Sequence, residues 1–264
     1  MHFIPPIPLN IDWKHSISKG LLDFGYCLNG RLAFSAFRKA QPFVTGTGTP
    51  SASKHGRAIN VSGAGNYINL GRNIASPSEV ASGFVLTRVN SLAAASILLT
   101  TANQSGLNYV GHWFNTETTG AISANYGDNT GVAASSRRTA STAAGVVAAG
   151  ETFSAGFVCR AATNWSLYKN GVSLTPTYGG TTNAYSAGTA NGTVNFRAAG
   201  APYGDQAASL WAFWGRALSN AEMQMLARDP WILLARPRLV YKAPAAGGAD
   251  VRRKIIPAYM RLSA

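Results

Sequence analysis

From Gly56 onward, apolar and polar residues alternate in short runs punctuated by Gly, Asn and Ser. A period of two puts apolar side chains on one side of an extended chain, so the pattern predicts half-buried antiparallel strands. Such runs stand at 58–61, 67–70, 83–89, 96–101, 109–116, 121–126, 152–160, 165–169, 194–198 and 209–215. In 153–160, positions 153, 155, 157 and 159 are apolar while 154 and 160 are polar. After Lys169, Asn170-Gly171 supplies two residues that tolerate positive φ, as a type I′ hairpin turn requires. The stretch 131–150, mostly Ala, Ser, Thr, Gly and Val around Arg137-Arg138, fits either an edge hairpin or a long loop. So many short strands with turn signals between them predict an all-β, two-sheet antiparallel β-sandwich.

One helix is marked. Ser219 opens Ser-Asn-Ala-Glu, a capping box closed by Glu222, and Leu218 is placed to staple onto Met223. Met223, Leu226 and Ala227 make an apolar stripe, and Pro230 stops the helix by Asp229. Around this body the chain divides into a lead-in at 1–55 that wraps or docks, the sandwich at 56–229, and an arm at 230–264. Pro237, Pro244, Pro257 and Gly247-Gly248 keep that arm from forming a regular helix or a central strand.

Composition adds constraints. A hydrophobic share of 46% supports a sizeable core, and only 12% of residues are charged. The net charge of +13 is uneven: basic against acidic residues number seven to two in 1–60, nine to seven in 61–229, and seven to one in 230–264. A near-neutral middle with basic ends favours acidic partners. The docking residues of the arm are Trp231, Arg236, Arg238, Tyr241, Arg252, Arg253, Lys254 and Tyr259. That mixture reads either as a solvated tail or as an extended arm lying on another protein. A nucleic-acid tail fits less well, because aliphatics and prolines interrupt the basic residues. Cys27 and Cys159 fit no metal or redox spacing and are expected to be buried thiols. No run approaches about 18 consecutive apolar residues, and Met1-His2-Phe3-Ile4-Pro5-Pro6 lacks a secretory pattern. The expectation is a soluble protein made in a cytoplasm, without membrane insertion.

Particular residues carry a resemblance. They are Gly56-Arg57-Ala58-Ile59 leading to Tyr67-Ile68-Asn69-Leu70-Gly71, then Trp165-x-Leu167-Tyr168-x-Asn170-Gly171, then Gly215-Arg216-Ala217-Leu218-Ser219-x-Ala221-Glu222. Together they resemble the concanavalin A-like lectin/LamG superfamily, whose final strand feeds a short helix. The flanks Ile11-Asp12-Trp13 and Asp229-Pro230-Trp231, the latter before Arg236-Pro237-Arg238, resemble LamG-type structural proteins of tailed bacteriophages and prophages. The resemblance spans about 11–240. It implies a jelly roll with extended terminal arms, serving as a non-enzymatic virion component in capsid decoration or in the tail and adhesion apparatus. Its partners would be other virion proteins, in multiple copies or as a homo-oligomer, and it would be made in the bacterial host cytoplasm. The alternative is a carbohydrate-binding lectin or receptor-binding module; a glycoside hydrolase is the third reading.

The residues themselves speak against hydrolysis. Retaining glycosidases need two carboxyl groups about 5 Å apart, yet no two of the ten acidic residues lie within three positions of each other. His2, His15, His55 and His112 accompany no nucleophile elbow, and no phosphate-binding glycine loop is present. No cofactor is expected. Ca²⁺ is the one candidate, through Asp128 in Tyr126–Gly131 and Asp205 in Tyr203–Gln206, although each loop offers a single carboxylate that turn chemistry also explains. The candidate surface, ligand or subunit contacts are Tyr109, His112, Trp113, Asn115, Trp211 and Phe213. In 109–115 one face carries Tyr109 and Trp113 and the other His112; in 210–214 both faces are bulky. Such aromatics either stack on sugars or pack in a core or a subunit contact.

Overall fold

The structure, a computed structural model, describes residues 11–28, 32–35, 43–53, 56–63, 65–102, 108–195 and 204–234. Its strands in chain order begin with β1 (Leu21–Leu28), β2 (Leu32–Ser35), β3 (Phe43–Thr45), β4 (Thr49–Ser53), β5 (Gly56–Ser62) and β6 (Tyr67–Asn69). They continue with β7 (Ala81–Ser91), β8 (Ser96–Thr100), β9 (His112–Thr116), β10 (Ile122–Gly127), β11 (Arg137–Ser141) and β12 (Glu151–Ala161). The last are β13 (Asn164–Lys169), β14 (Val172–Leu174), β15 (Thr177–Gly180), β16 (Thr193–Val194) and β17 (Asp205–Trp214), before helix α1 (Asn220–Arg228). Two antiparallel sheets result. The first runs β14-β13-β12-β7-β17-β1-β2, with β5 also on β17 and β4 on β5; the second runs β15-β11-β10-β9-β8-β16-β6-β3. This is the two-sheet antiparallel β-sandwich that the alternating pattern predicts, with the short C-terminal helix that the Ser219 box predicts and the jelly roll that the resemblance implies.

Strand β17 organises the first sheet. One edge pairs with β7 over nearly its whole length, while the other serves β5 through Asp205–Ala208 and β1 through Leu210–Trp214. Both faces of this strand are covered. Trp211 and Phe213 enter the core between the sheets, with Val85, Phe153, Phe157, Phe114 and Ile122. Leu210, Ala212 and Trp214 point the other way, into a second cluster with Phe84, Leu86, Val158, Met223 and Leu226. Double-sided burial is the reason 210–214 shows no alternation of apolar and polar residues.

Close packing in the first sheet uses glycines. A Cβ on Gly25 of β1 would fall 2.1 Å from Trp211 Cζ2, so the indole lies where that side chain is missing. Trp211 Nε1 donates to Asp23 Oδ2 at 2.8 Å, and Arg72 Nη2 donates to Asp23 Oδ1 at 2.7 Å. Arg72 also donates to the Leu22 carbonyl. The carboxylate of Asp23, itself buried, thus has donors on both oxygens. A second polar tie joins the sheets: Gln206 Nε2 on β17 donates to the Ile97 carbonyl on β8, and Asn195 Nδ2 donates to the carbonyls of Val61, Asn66 and Gly204.

The helix follows its local signals. Ser219 Oγ accepts from Glu222 N at 3.2 Å while Glu222 Oε2 accepts from Ser219 N at 2.8 Å, and Arg216 pairs with Glu222 at 2.6 Å. Leu218, Met223 and Leu226 share the second cluster. At the hairpin, Asn170 and Gly171 both take positive φ, 51° and 79°. The stretch 131–150 divides: a 3-10 turn at Ala134–Ser136 leads into β11, and the rest is turns.

Both flanking segments contribute to the body. β1, in the segment read as a lead-in, pairs with β17, and its Phe24 and Tyr26 join the second cluster. At the other end Leu233 is 0% exposed and packs in that cluster with Leu234, while Ile11 and Leu234 form an antiparallel bridge. Trp231, at the start of the arm, meets the Tyr26 ring edge-on at 5.8 Å. The remaining arm residues named above, Arg236, Arg238, Tyr241, Arg252, Arg253, Lys254 and Tyr259, lie outside the described residues, as does His55.

Three substitutions check these assignments by denaturant titration. Gly25→Ala is expected to cost about 1–3 kcal/mol, because the Trp211 ring held by Asp23 has nowhere to move. Leu233→Ala is expected to cost about 2–5 kcal/mol through the cavity it leaves. Ser219→Ala is expected to cost about 1 kcal/mol through the lost cap.

Candidate functional site

Position along β9 decides where the expected site residues go. Gly111, with φ of 60°, turns the chain into the strand, after which odd and even positions face opposite ways. Phe114 joins the intersheet core. Trp113 and Asn115 point to the outer face of the second sheet. His112 points inward, where its ring lies 4.9–6.3 Å from the rings of Tyr126, Phe157, Trp165, Tyr185 and Phe213. Tyr109, His112, Trp113, Asn115, Trp211 and Phe213 are therefore not one exposed patch. All six are buried, three of them interior and three on the outer face of the second sheet. Phe213 contributes to the aromatic nest around His112, and Trp211 is committed to Asp23.

The outer face gains neighbours that the single strand did not reveal. Asn125 on β10 pairs in register with Trp113 on one side and Thr139 of β11 on the other, and Ser123 pairs with Asn115 and Ser141. Side chains on this face form a directed relay. Thr139 Oγ1 donates to Asn125 Oδ1 at 2.6 Å, Asn125 Nδ2 donates to Asn115 Oδ1 at 3.2 Å, and Asn115 Nδ2 donates to Glu117 Oε1 at 2.7 Å. Beside it Tyr109 stacks on Trp113 with ring centres 5.0 Å apart, and Arg137 lies over the Tyr109 ring at 5.4 Å with Nη1 donating to its hydroxyl.

Two indentations flank this stack. One of about 170 Å³ is lined by Trp113, Asn115, Glu117, Asn125, Arg137 and Thr139, with Ile97 beside them. The other, about 370 Å³, lies in the loops where Asn108, Val110 and Asn129 meet residues 186–190. Tyr109 joins them, because its chain neighbours line the larger and its stacking partner lines the smaller. Amides, a guanidinium, a carboxylate and an indole edge on a rigid sheet suit binding of a polar, hydroxyl-rich ligand. Asn125, Arg137, Thr139 and Glu117 were not singled out from the sequence, although Ser123/Asn125 and Arg137/Thr139/Ser141 do recur at a period of two.

The calcium candidates are engaged by protein donors. Asp128 Oδ1 accepts from the amide and the hydroxyl of Thr130, and Asp205 Oδ1 accepts from Asn90 Nδ2 at 2.7 Å. Among the described residues no three His, Cys, Asp or Glu side chains gather as a metal site. Cys27 and Cys159 are buried free thiols, and burial pushes Cys27 up to about 12. No helix among the described residues is long and apolar enough to cross a membrane.

The same two-sheet sandwich architecture is seen in solved structures of low sequence identity. No family model and no curated protein matches the chain. Domain 4 of AbnA, a GH43 extracellular arabinanase from Geobacillus stearothermophilus solved with arabinotriose, aligns with a TM-score of 0.53 at 14% identity, over 78% of this chain and 98% of that domain. The binding domains of botulinum neurotoxin serotypes C1 and D align with TM-scores of 0.60 and 0.58 at 10% and 12% identity, over 81% of this chain. The chain spans about half the length of those neurotoxin domains, 53% in each case. At these identities the likeness establishes the fold.

Burial of His112 yields a pH prediction. Desolvation lowers its pKa from 6.5 to about 4, only partly countered by the hydrogen bond to the Glu79 carbonyl. The unfolded chain therefore takes up the proton first, and stability present above about pH 6.5 is lost as pH falls toward 4, by roughly 3 kcal/mol. Urea titrations between pH 7 and 4 are expected to show this slope, and His112→Gln to remove it. A variant with the same slope as the parent would exonerate His112.

Proposed function

We propose that the chain is a non-enzymatic, lectin-like binding module that holds a glycan on the outer face of its second sheet. The relay Thr139–Asn125–Asn115–Glu117 beside the Tyr109–Trp113 stack carries this reading, because preset donors and acceptors lining an indentation that the buried stack holds rigid match a sugar's hydroxyls. Arabinotriose in domain 4 of AbnA, a domain of similar fold, supports a saccharide as the ligand class. Kinship with concanavalin A-like and LamG proteins is part of this reading and rests on the sequence motifs at 56–59, 67–71, 165–171 and 215–222.

A finer reading puts this module in a bacteriophage virion, in multiple copies, as capsid decoration or as part of the tail and adhesion apparatus. What supports it is sequence alone: the flanking Asp12-Trp13 and Pro230-Trp231 motifs and the basic ends suited to acidic neighbours. Mass spectrometry of purified particles tests it, and absence of the protein from them would end it.

For the glycan reading the experiment is an array of neutral and acidic glycans probed with the intact protein. Binding is expected to weaken at least about tenfold in Asn125→Ala, measured where the variant is still folded, since the relay loses its middle member and the stranded partners also lower thermal stability. EDTA is expected to leave binding unaltered, because Asp128 and Asp205 already serve protein donors. Failure to bind any glycan would overturn the reading.

A further inference from the structure

We infer that the smaller indentation selects a carboxylate-bearing sugar, with Arg137 receiving the carboxylate; this rests on the glycan-binding reading above. The observation is an unmatched guanidinium. Arg137 is half-buried at the start of β11, gives one Nη1 hydrogen bond to the Tyr109 hydroxyl at 3.2 Å, and keeps a buried Nε that meets no acceptor. No carboxylate among the described residues forms an ion pair with it. Its neighbour Arg138 shows the contrast: that side chain is spent on the carbonyls of Gly180 and Thr182 and on Asn183 Oδ1. A guanidinium offers five N–H donors in a planar fork that fits the two oxygens of a carboxylate, and an unmatched buried donor is costly. Nε itself is closed to a ligand, so a carboxylate in the indentation is received by the terminal nitrogens of the half-buried guanidinium, which no protein carboxylate among the described residues engages.

The remaining lining argues for a sugar acid over a bare anion. Every donor in the relay points away from Thr139 and toward Glu117, so the indentation is polarised, with a cation at Arg137 and a carboxylate at Glu117. A small inorganic anion would satisfy Arg137 while facing the charge of Glu117. A sugar acid meets both demands, setting its carboxylate at Arg137 and donating a hydroxyl toward Glu117, with Asn115 and Asn125 between them. A neutral sugar leaves the Arg137 charge without a counterion among the described residues. Hexuronates and sialic acids both present the required chemistry.

The test uses the intact protein on arrays of hexuronate-bearing and sialate-bearing glycans, each beside its carboxyl-reduced counterpart at constant ionic strength. A preference of about tenfold or more for the acidic member of one series is expected, and the series identifies the source. Arg137→Gln is expected to bring acidic and reduced forms level. Arg137→Lys, which keeps the charge without the fork, is expected to lose several-fold of the preference, and it serves if the Gln variant does not fold. Equal binding of acidic and reduced glycans by the parent would overturn the inference while leaving a neutral-glycan lectin standing. A preference that survives in both variants would also overturn it, as general attraction to a chain of charge +13. Binding to no glycan at all would remove the inference together with the reading beneath it.

Discussion

A strand buried on both faces has no solvent side on which to place polar residues, and β17 is such a strand. It pairs along both edges, and its alternate side chains feed two separate apolar clusters. That single constraint accounts for much else. It requires a layer over the outer side of the first sheet, and helix α1, the 11–20 segment and residues 230–234 provide it. It also makes the glycines facing the Trp and Phe rings necessary, since rings from neighbouring strands compete for the same space. Asp23 becomes tolerable there because Arg72 and the Trp211 indole satisfy it, and removing one partner would leave a buried charge uncompensated.

The second sheet solves a different problem. Only its inner face is needed for the core, so its outer face is available for polar side chains arranged by strand register. A bulge on β8 between Ile97 and Leu99 shows the division in one place: Leu98 and Leu99 both reach the intersheet core, while Ile97 borders the outer indentation. Asn115 and Asn125 are buried, yet each engages a partner within the face. The relay therefore fixes the orientation of both amides before any ligand arrives, so that less ordering entropy opposes binding.

Much of the fold was legible in the sequence. The period-two runs, the Asn170-Gly171 turn and the Ser219 box are local signals, and local chemistry sets them. Strands β1 to β4 were not legible, because Gly, Pro and Thr around 45–53 obscure the period and because β1 is a fully paired strand without alternation. β11 was half visible, as Arg137/Thr139/Ser141 alternate with Arg138/Ala140, but only its pairing with β10 tells which face matters. The site was legible one segment at a time: Tyr109, Trp113 and Asn115 could be read from the run 109–116, whereas Asn125, Thr139 and Arg137 join them through register, which no single segment encodes. His112, Trp211 and Phe213 resembled them in composition and went inside instead, because burial depends on the neighbouring layer.

Ile11 and Leu234 form a bridge on the covered side of the first sheet, while the polar relay lies on the far side of the second. The whole thickness of the sandwich thus lies between that bridge and the relay. Such a body is polar in the architectural sense, having a root and a crown. A partner docked on the covered side at the root leaves the crown, on the opposite side, unobstructed.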